Sequence, residues 1–230
     1  MDAVYILKND IEKDHEELRY SIRTLVANWD YRRLWFIGGN PGDIVPDASI
    51  YHQQKGATKW ERVRDSLLRV CDCSDISQDF WLFNDDFFIM KRPEAYTTPM
   101  KPGTLLSHVH RLEERHGGLS AYALQLKTLA AILEGDGHPI RDYTIHAPMA
   151  FNGEKLAAVL KRYPHNPMFR SLYGNVYQVP GVPTHDYKVH TLTECPPWPY
   201  LSTTGVSFRA GAVGMLIRGS FRTPSQYENG

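Results

Sequence analysis

The chain has 230 residues and balances 26 Lys and Arg against 26 Asp and Glu, so no net charge draws it toward nucleic acid or an anionic membrane. No apolar run is long enough to cross a bilayer, and Met1-Asp2 opens straight into a strand-like run rather than the basic and apolar regions of a secretory leader. Cys71, Cys73 and Cys195 form a sparse, odd set that suits neither a disulfide framework nor a zinc site, so the expected setting is reducing and cytoplasmic.

A chain of this length suits one α/β domain, 1–230, with a central cleft. Ala3-Val4-Tyr5-Ile6-Leu7 reads as a short buried strand that runs into Lys8-Asn9-Asp10. In open α/β sheets ligands lie beyond the carboxyl ends of the strands, so Asn9 and Asp10 become candidates for nucleotide contact, with an ordinary Asn-Asp turn as the alternative. Glu16 to Ala27 has helical apolar spacing, and Leu34 to Ile37 is a second strand stopped by Gly38-Gly39-Asn40-Pro41-Gly42. That turn matches neither a P-loop nor a dinucleotide fingerprint. A polar connection, 43–58, leads to a helix over 59–70. The order βαβαβ over 1–90 is the layout of a Rossmann-type nucleotide-binding half, with 91–230 as the acceptor side.

Phe80-Trp81-Leu82-Phe83-Asn84-Asp85-Asp86-Phe87-Phe88-Ile89-Met90 is the stretch with the most chemistry in it. An apolar aromatic run of this kind reads as a strand buried on both faces, and two adjacent carboxylates interrupt it. Carboxylates in such company need partners. Asp85 and Asp86 are therefore expected to hold a divalent cation, Mn2+ or Mg2+, through oxygen ligands, with a salt-bridged strand end free of metal as the alternative.

Farther on, Leu105 to Arg115 and Ser120 to Leu133 read as helices, Tyr143 to His146 as a strand, and Glu154 to Arg162 as a helix. His146 ends its strand on a group able to bind a metal or a phosphate. The stretch 164–183 is rich in loop signals, Tyr200-Leu201-Ser202 follows a proline cluster, and 211–218 has helical spacing.

Taken in order, several segments resemble the Stealth family of sugar-phosphate transferases and smaller phage-encoded glycosyltransferases of similar type. These segments are Asp2 to Tyr5; Glu17 to Arg23 with Leu34 to Ile37 and Phe83 to Phe88; His146-Ala147-Pro148 with Phe151; and Leu201-Ser202 through Phe221 to Glu228. The resemblance implies a GT-A-like, Rossmann-type α/β fold with a mostly parallel central sheet. It implies a nucleotide-sugar donor, most simply a UDP-sugar, whose metal and diphosphate are held by Asp85 and Asp86, with His146 as a third metal ligand or catalytic base. The family's helix carboxylate falls on Asp65, with Glu61 competing, and its diphosphate-binding arginine on Arg170. Asn9, Asp10, Arg19, Lys59 and Asn84 complete the donor-binding candidates.

The family's last region normally carries a Cys-Leu-Asn-Asp run, whereas this chain has Tyr200-Leu201-Ser202-Thr203-Thr204. Transfer of the sugar alone is thus the leading expectation, with sugar-1-phosphate transfer to a glycan and a catalytically decayed binding module as alternatives. The phage-like resemblance implies a hydroxymethylated base in DNA as acceptor, within the host cytoplasm. Lys91, Arg92, Lys101, Arg111, Arg115, Lys161 and Arg162 would then meet phosphates, and Trp60 or Tyr173 would stack on bases. A glycan is the other acceptor.

Overall fold

A computed structural model describes residues 1–9 and 15–229, apart from the side chain of His116. The expected donor contact Asp10 lies outside the described residues. In chain order the elements begin with β1 (Asp2–Leu7), α1 (Glu16–Asn28), β2 (Leu34–Gly38), β3 (Ala48–Tyr51), α2 (Lys59–Asp72), β4 (Asp79–Phe83) and β5 (Phe87–Ile89). They continue with β6 (Thr98–Thr104), α3 (Leu105–His116), α4 (Ala121–Gly135), β7 (Arg141–Asp142), β8 (Met149–Asn152) and α5 (Gly153–Arg162). The last are α6 (Phe169–Val176), β9 (Gly181–Pro183), β10 (Lys188–Val189), β11 (Tyr200–Thr203), α7 (Gly205–Ala210) and α8 (Ala212–Ser220). The fold is mixed α/β with a mainly parallel central sheet.

Two compact units divide the chain, one of Met1–Tyr96, His146–Gly153 and Tyr187–Gly230, the other of Thr97–Ile145 and Glu154–Asp186. The division cuts across the expected halves 1–90 and 91–230, because β8, β10 and β11 join the first unit.

In the first unit the sheet order is β3-β2-β1-β4-β8, parallel throughout except for β8. Strands β1, β2 and β4 are nearly continuous apolar runs because both faces of a parallel sheet are covered. Tyr5 stacks on Phe83 at 5.4 Å between ring centroids, and Ile22 and Leu25 of α1 pack into the same cluster. The connection expected over 43–58 contains β3, an edge strand. Its residues alternate between partial burial and exposure, a period-2 signal only four residues long.

The aromatic run 80–90 is two strands, not one. β4 ends at Phe83, the chain turns through Asn84-Asp85-Asp86, and β5 enters a second sheet of order β10-β11-β5. That sheet packs Phe88, Val189 and Leu201 against Phe208, Val213 and Ile217 of α7 and α8.

The second unit has a sheet of order β7-β6-β9 with α3, α4, α5 and α6. On α4 the buried positions Ala123, Leu126, Leu129, Ala130 and Leu133 follow helical periodicity. The strand expected at Tyr143 to His146 is absent. β7 stops at Asp142, whose carboxylate accepts from Thr144 N at 2.9 Å, and Tyr143 is buried as irregular chain. The loop-rich stretch 164–183 contains α6 and β9.

Candidate active site

The order β3-β2-β1-β4 puts the reversal of the sheet's connections between β1 and β4, and ligands of open α/β sheets bind beyond the carboxyl ends of strands at such a point. Lys8 and Asn9 follow β1; Asn84, Asp85 and Asp86 follow β4, in a turn closed by Phe87 N donating to Asn84 O at 3.2 Å. β8 runs antiparallel to β4 with Met149 opposite Leu82, so the residues before Met149, His146 among them, continue past the same end of β4. The sheet thus brings His146 to the edge that carries the acidic pair.

A framework of side-chain bonds holds this edge. The Asn9 amide donates to His52 O at 2.7 Å and accepts from Gln54 N at 2.8 Å. Gln54 donates to Leu7 O at 3.0 Å and to Ser66 Oγ at 2.9 Å. Gly38, at φ +102°, lets these chains approach, since a Cβ there would lie 2.3 Å from Leu7 O. Asp65 receives His52 Nε2 at 3.1 Å and Lys55 N at 3.2 Å. The structure thus places Asn9 and Asp65 in the support of the loop after β3.

Three carboxylates at this edge feel one another's charge. Asp85 keeps solvent-accessible surface, yet burial is the largest cause lifting its carboxyl above the ordinary value, followed by the charge of Asp86; Lys59 and Lys8 pull the other way. Glu17, in the first turn of α1, is also raised, by burial first and then by Asp85 and Asp86, against the hydrogen bond from Thr203 Oγ1 at 2.9 Å and the charge of Lys188.

One oxygen of the Asp86 carboxylate is engaged twice. Oδ2 accepts from Lys188 Nζ at 2.5 Å and from Ser202 Oγ at 2.9 Å, and the ammonium also donates to Thr203 O. Sheet register makes this arrangement: Lys188 lies opposite Ser202 on the parallel pair β10-β11, and Ser202 lies opposite Phe87 on the antiparallel pair β11-β5. Residues 86, 188 and 202 are therefore neighbours although far apart in sequence. Ser202 and Thr203 supply hydroxyls that donate to Asp86 and Glu17.

The expected divalent site at Asp85, Asp86 and His146 does not fit this donor set. Among the described residues no group of three or more His, Cys, Asp or Glu side chains is disposed to hold a metal ion, and the oxygen of Asp86 that faces Lys188 already has a cation. The salt-bridged alternative describes Asp86.

Of the other expected site residues, Lys59 opens α2 at the same sheet edge, just after the capping box of Thr58 and Glu61, and is exposed. Glu61, the competitor for the helix carboxylate, is spent on that cap, accepting from Thr58 N at 2.9 Å. Asn84 is exposed in the turn. Arg19 is drawn into an ion pair with Asp43 at 2.5 Å, with Glu228 at 3.8 Å. Arg170 belongs to α6 in the second unit. Among the basic residues expected on DNA, Arg92 pairs with Asp30, Lys101 with Asp186 at 3.1 Å and Arg162 with Asp136 at 3.0 Å. Tyr173 is buried, so it has no face to offer a base.

Sequence reasoning assigned no role to Glu17 or Lys188. Glu17 reads locally as an acid favoured by the helix dipole, and Lys188 sits in a stretch with no periodic signal.

No family model and no curated protein matches the chain. Among solved structures, apo mouse xyloside xylosyltransferase 1 aligns over 99% of this chain and 95% of that chain, at 8% identity and a TM-score of 0.38. A likeness of that size carries no argument about this chain. The likeness to the Stealth family rests on residue pattern alone.

Proposed function

We propose that this chain is a glycosyltransferase that takes its sugar from a nucleotide-sugar donor, with the donor's diphosphate beyond the carboxyl ends of β1 and β4. The observation that carries this reading is the grouping at that edge: Asp85, an accessible carboxylate raised above its ordinary value, lies within electrostatic reach of Lys8 and Lys59, beside the Asp86–Lys188 pair. Lysines there suit a diphosphate, and a raised carboxyl suits a general base.

In the step proposed, the bond between sugar C1 and the diphosphate oxygen breaks and its electron pair leaves with the diphosphate. The acceptor hydroxyl oxygen forms the new bond to C1, and its proton passes to Asp85. Asp85 takes the proton rather than Asp86, because Asp86 Oδ2 is committed to Lys188 and Ser202. Lys8 and Lys59 offset charge on the departing diphosphate, an electrostatic contribution that grows as water is excluded from the site. His146, at the same sheet end, is the second candidate for proton transfer.

The test is a thermal-shift screen against UDP-, GDP- and CMP-sugars, since a ligand that binds only the folded protein raises its melting temperature by mass action. One nucleotide family is expected to stabilise the protein, and its sugar then serves in acceptor trials with hydroxymethylated DNA and with glycans. Product mass separates sugar transfer from sugar-1-phosphate transfer. Absence of any shift across the whole screen at millimolar ligand sinks the proposal.

A further inference from the structure

The second unit holds a cavity of about 440 Å³, formed by α4 and the connection from α5 to α6. That volume falls within the range of small-molecule sites. Its walls are apolar, with Leu124 and Ile132 from the helix and Tyr163, Pro164 and Pro167 from the connection. The connection is tied down along its length. Both prolines fix their own φ, Asn166 N donates to Tyr163 O at 3.3 Å, and Met168 N donates to Asn166 Oδ1 at 2.9 Å. Tyr163 donates its hydroxyl to Asp136, and the Arg162 guanidinium carbon lies 5.2 Å from its ring centroid. A wall ordered in advance leaves a ligand little ordering to offset.

The polar groups on the same lining decide what fits. They are Gln125, Thr128, His165 and Asn166, and no Asp, Glu, Lys or Arg side chain joins them. The Thr128 hydroxyl is spent on Leu124 O at 2.9 Å. The Gln125 amide, the His165 ring and the Asn166 side-chain NH2 bond to no other described residue. Gln125 and His165 are exposed, so water reaches them. A phosphate-bearing ligand would find no cation on this lining, which sets DNA aside. A purely apolar ligand would strip water from two amides and an imidazole and leave them unpaired. A sugar ring meets both demands, with C–H groups on its faces and uncharged hydroxyls around its edge.

We infer that this cavity binds a neutral saccharide, its C–H face against Tyr163, Pro164 and Pro167 and its hydroxyls on Gln125, His165 and Asn166. Joined to the glycosyl-transfer reading, on which this step rests, it makes a glycan the acceptor that the second unit recognises, in place of hydroxymethylated DNA. The binding itself needs neither donor nor reaction, so it is tested apart from that reading.

The deciding experiment titrates a panel of neutral mono- and disaccharides into the isotope-labelled wild-type chain and follows the backbone amide signals by NMR, with cyclohexanol, uridine and a short DNA duplex as controls. At least one saccharide is expected to shift the amides of residues 124–132 and 163–168 saturably. Gln125→Ala is expected to weaken that binding about fivefold, the loss of about one uncharged hydrogen bond. Gln125 is exposed on α4 and bonds to no other described residue, so the variant keeps the fold. Thr128→Arg, also at an exposed helix position, places a long charged side chain in the cavity and is expected to abolish the shifts. The inference is overturned if no saccharide moves these amides, if one moves them equally in the wild type and both variants, or if cyclohexanol, uridine or DNA moves them as strongly. Saccharide binding here with no nucleotide sugar bound anywhere counts against the proposed function alone. Donor binding by a protein whose cavity ignores every saccharide counts against this inference alone.

Discussion

Asp2 and Asp85 are the same residue type at opposite ends of neighbouring strands, and the protein treats them in opposite ways. At the amino edge, Asp2 is fully buried and accepts from Arg32 Nε at 2.8 Å and Nη2 at 2.7 Å, from Ser77 N at 2.9 Å and from Trp35 Nε1 at 3.1 Å. Burial alone would raise its carboxyl, but the Arg32 and Ser77 bonds outweigh that and hold it below the ordinary value. At the carboxyl edge, Asp85 keeps its access to water, lies beside a like charge, and is raised. One carboxylate is held by an arginine, an indole and a backbone N–H; the other has a backbone N–H of its own and a like charge beside it.

The largest expected effect is on chemistry. Asp85→Asn keeps the shape of the side chain and removes the base, so transfer should fall by about a hundredfold or more while the melting curve stays cooperative. A raised carboxyl also predicts that the acid limb of kcat/KM in the wild type lies above the ordinary aspartate value of about 3.9. An Asp85→Asn enzyme with unchanged kcat would move the base to His146.

Next in size is Asp2→Ala, which should cost about 3 kcal/mol in denaturant unfolding, because Ser77 N, the Trp35 indole and Arg32 all lose their acceptor. The pH dependence has a definite sign. Asp2 is depressed in the folded state, so its contribution is present above the unfolded value and is lost as pH falls through the folded one.

Asp85→Asn should have the opposite, smaller effect on stability. A carboxyl raised in the folded state binds protons more tightly there than in the unfolded chain, so ionising it costs stability as pH rises from the unfolded value to the folded one. The variant should therefore melt slightly higher than wild type near neutrality and level with it in strong acid. If Asp2→Ala and Asp85→Asn shift melting in the same direction at neutral pH, the contrast between the two edges is wrong.

The contrast also explains what could be read from the residues in order. Apolar runs at 3–7 and 34–37 and the helical spacings at 16–27 and 59–70 report local burial, which the sequence pattern encodes directly. The Asn84-Asp85-Asp86 turn was conspicuous for the same reason, as polarity inside an aromatic run. Its flanks were misread as one strand because β4 and β5 are both buried, and no local signal says that the chain changes sheets. The strand β3 was hidden by a half-exposed edge, and α6 by the proline- and glycine-bearing chain around it.

What the local pattern could not contain is the identity of the partner of Asp86. Lys188 reaches it through two strand registers, and Glu17 comes to it through Thr203. A metal was the natural expectation for two adjacent acids when no cation was in view along the chain. Register, a non-local property, sets Lys188 beside Asp86.

The central claim is that an anionic nucleotide group binds at the carboxyl edge of the sheet. Its most direct test is calorimetric titration of UDP into the wild-type protein and into Lys59→Ala, whose side chain is exposed at the start of α2 and supports no fold contact described above. The account predicts saturable binding to the wild type, about tenfold weaker in the variant, as expected for one lost charge-assisted contact to phosphate. Binding with the same affinity in both proteins would place the nucleotide elsewhere and contradict the account.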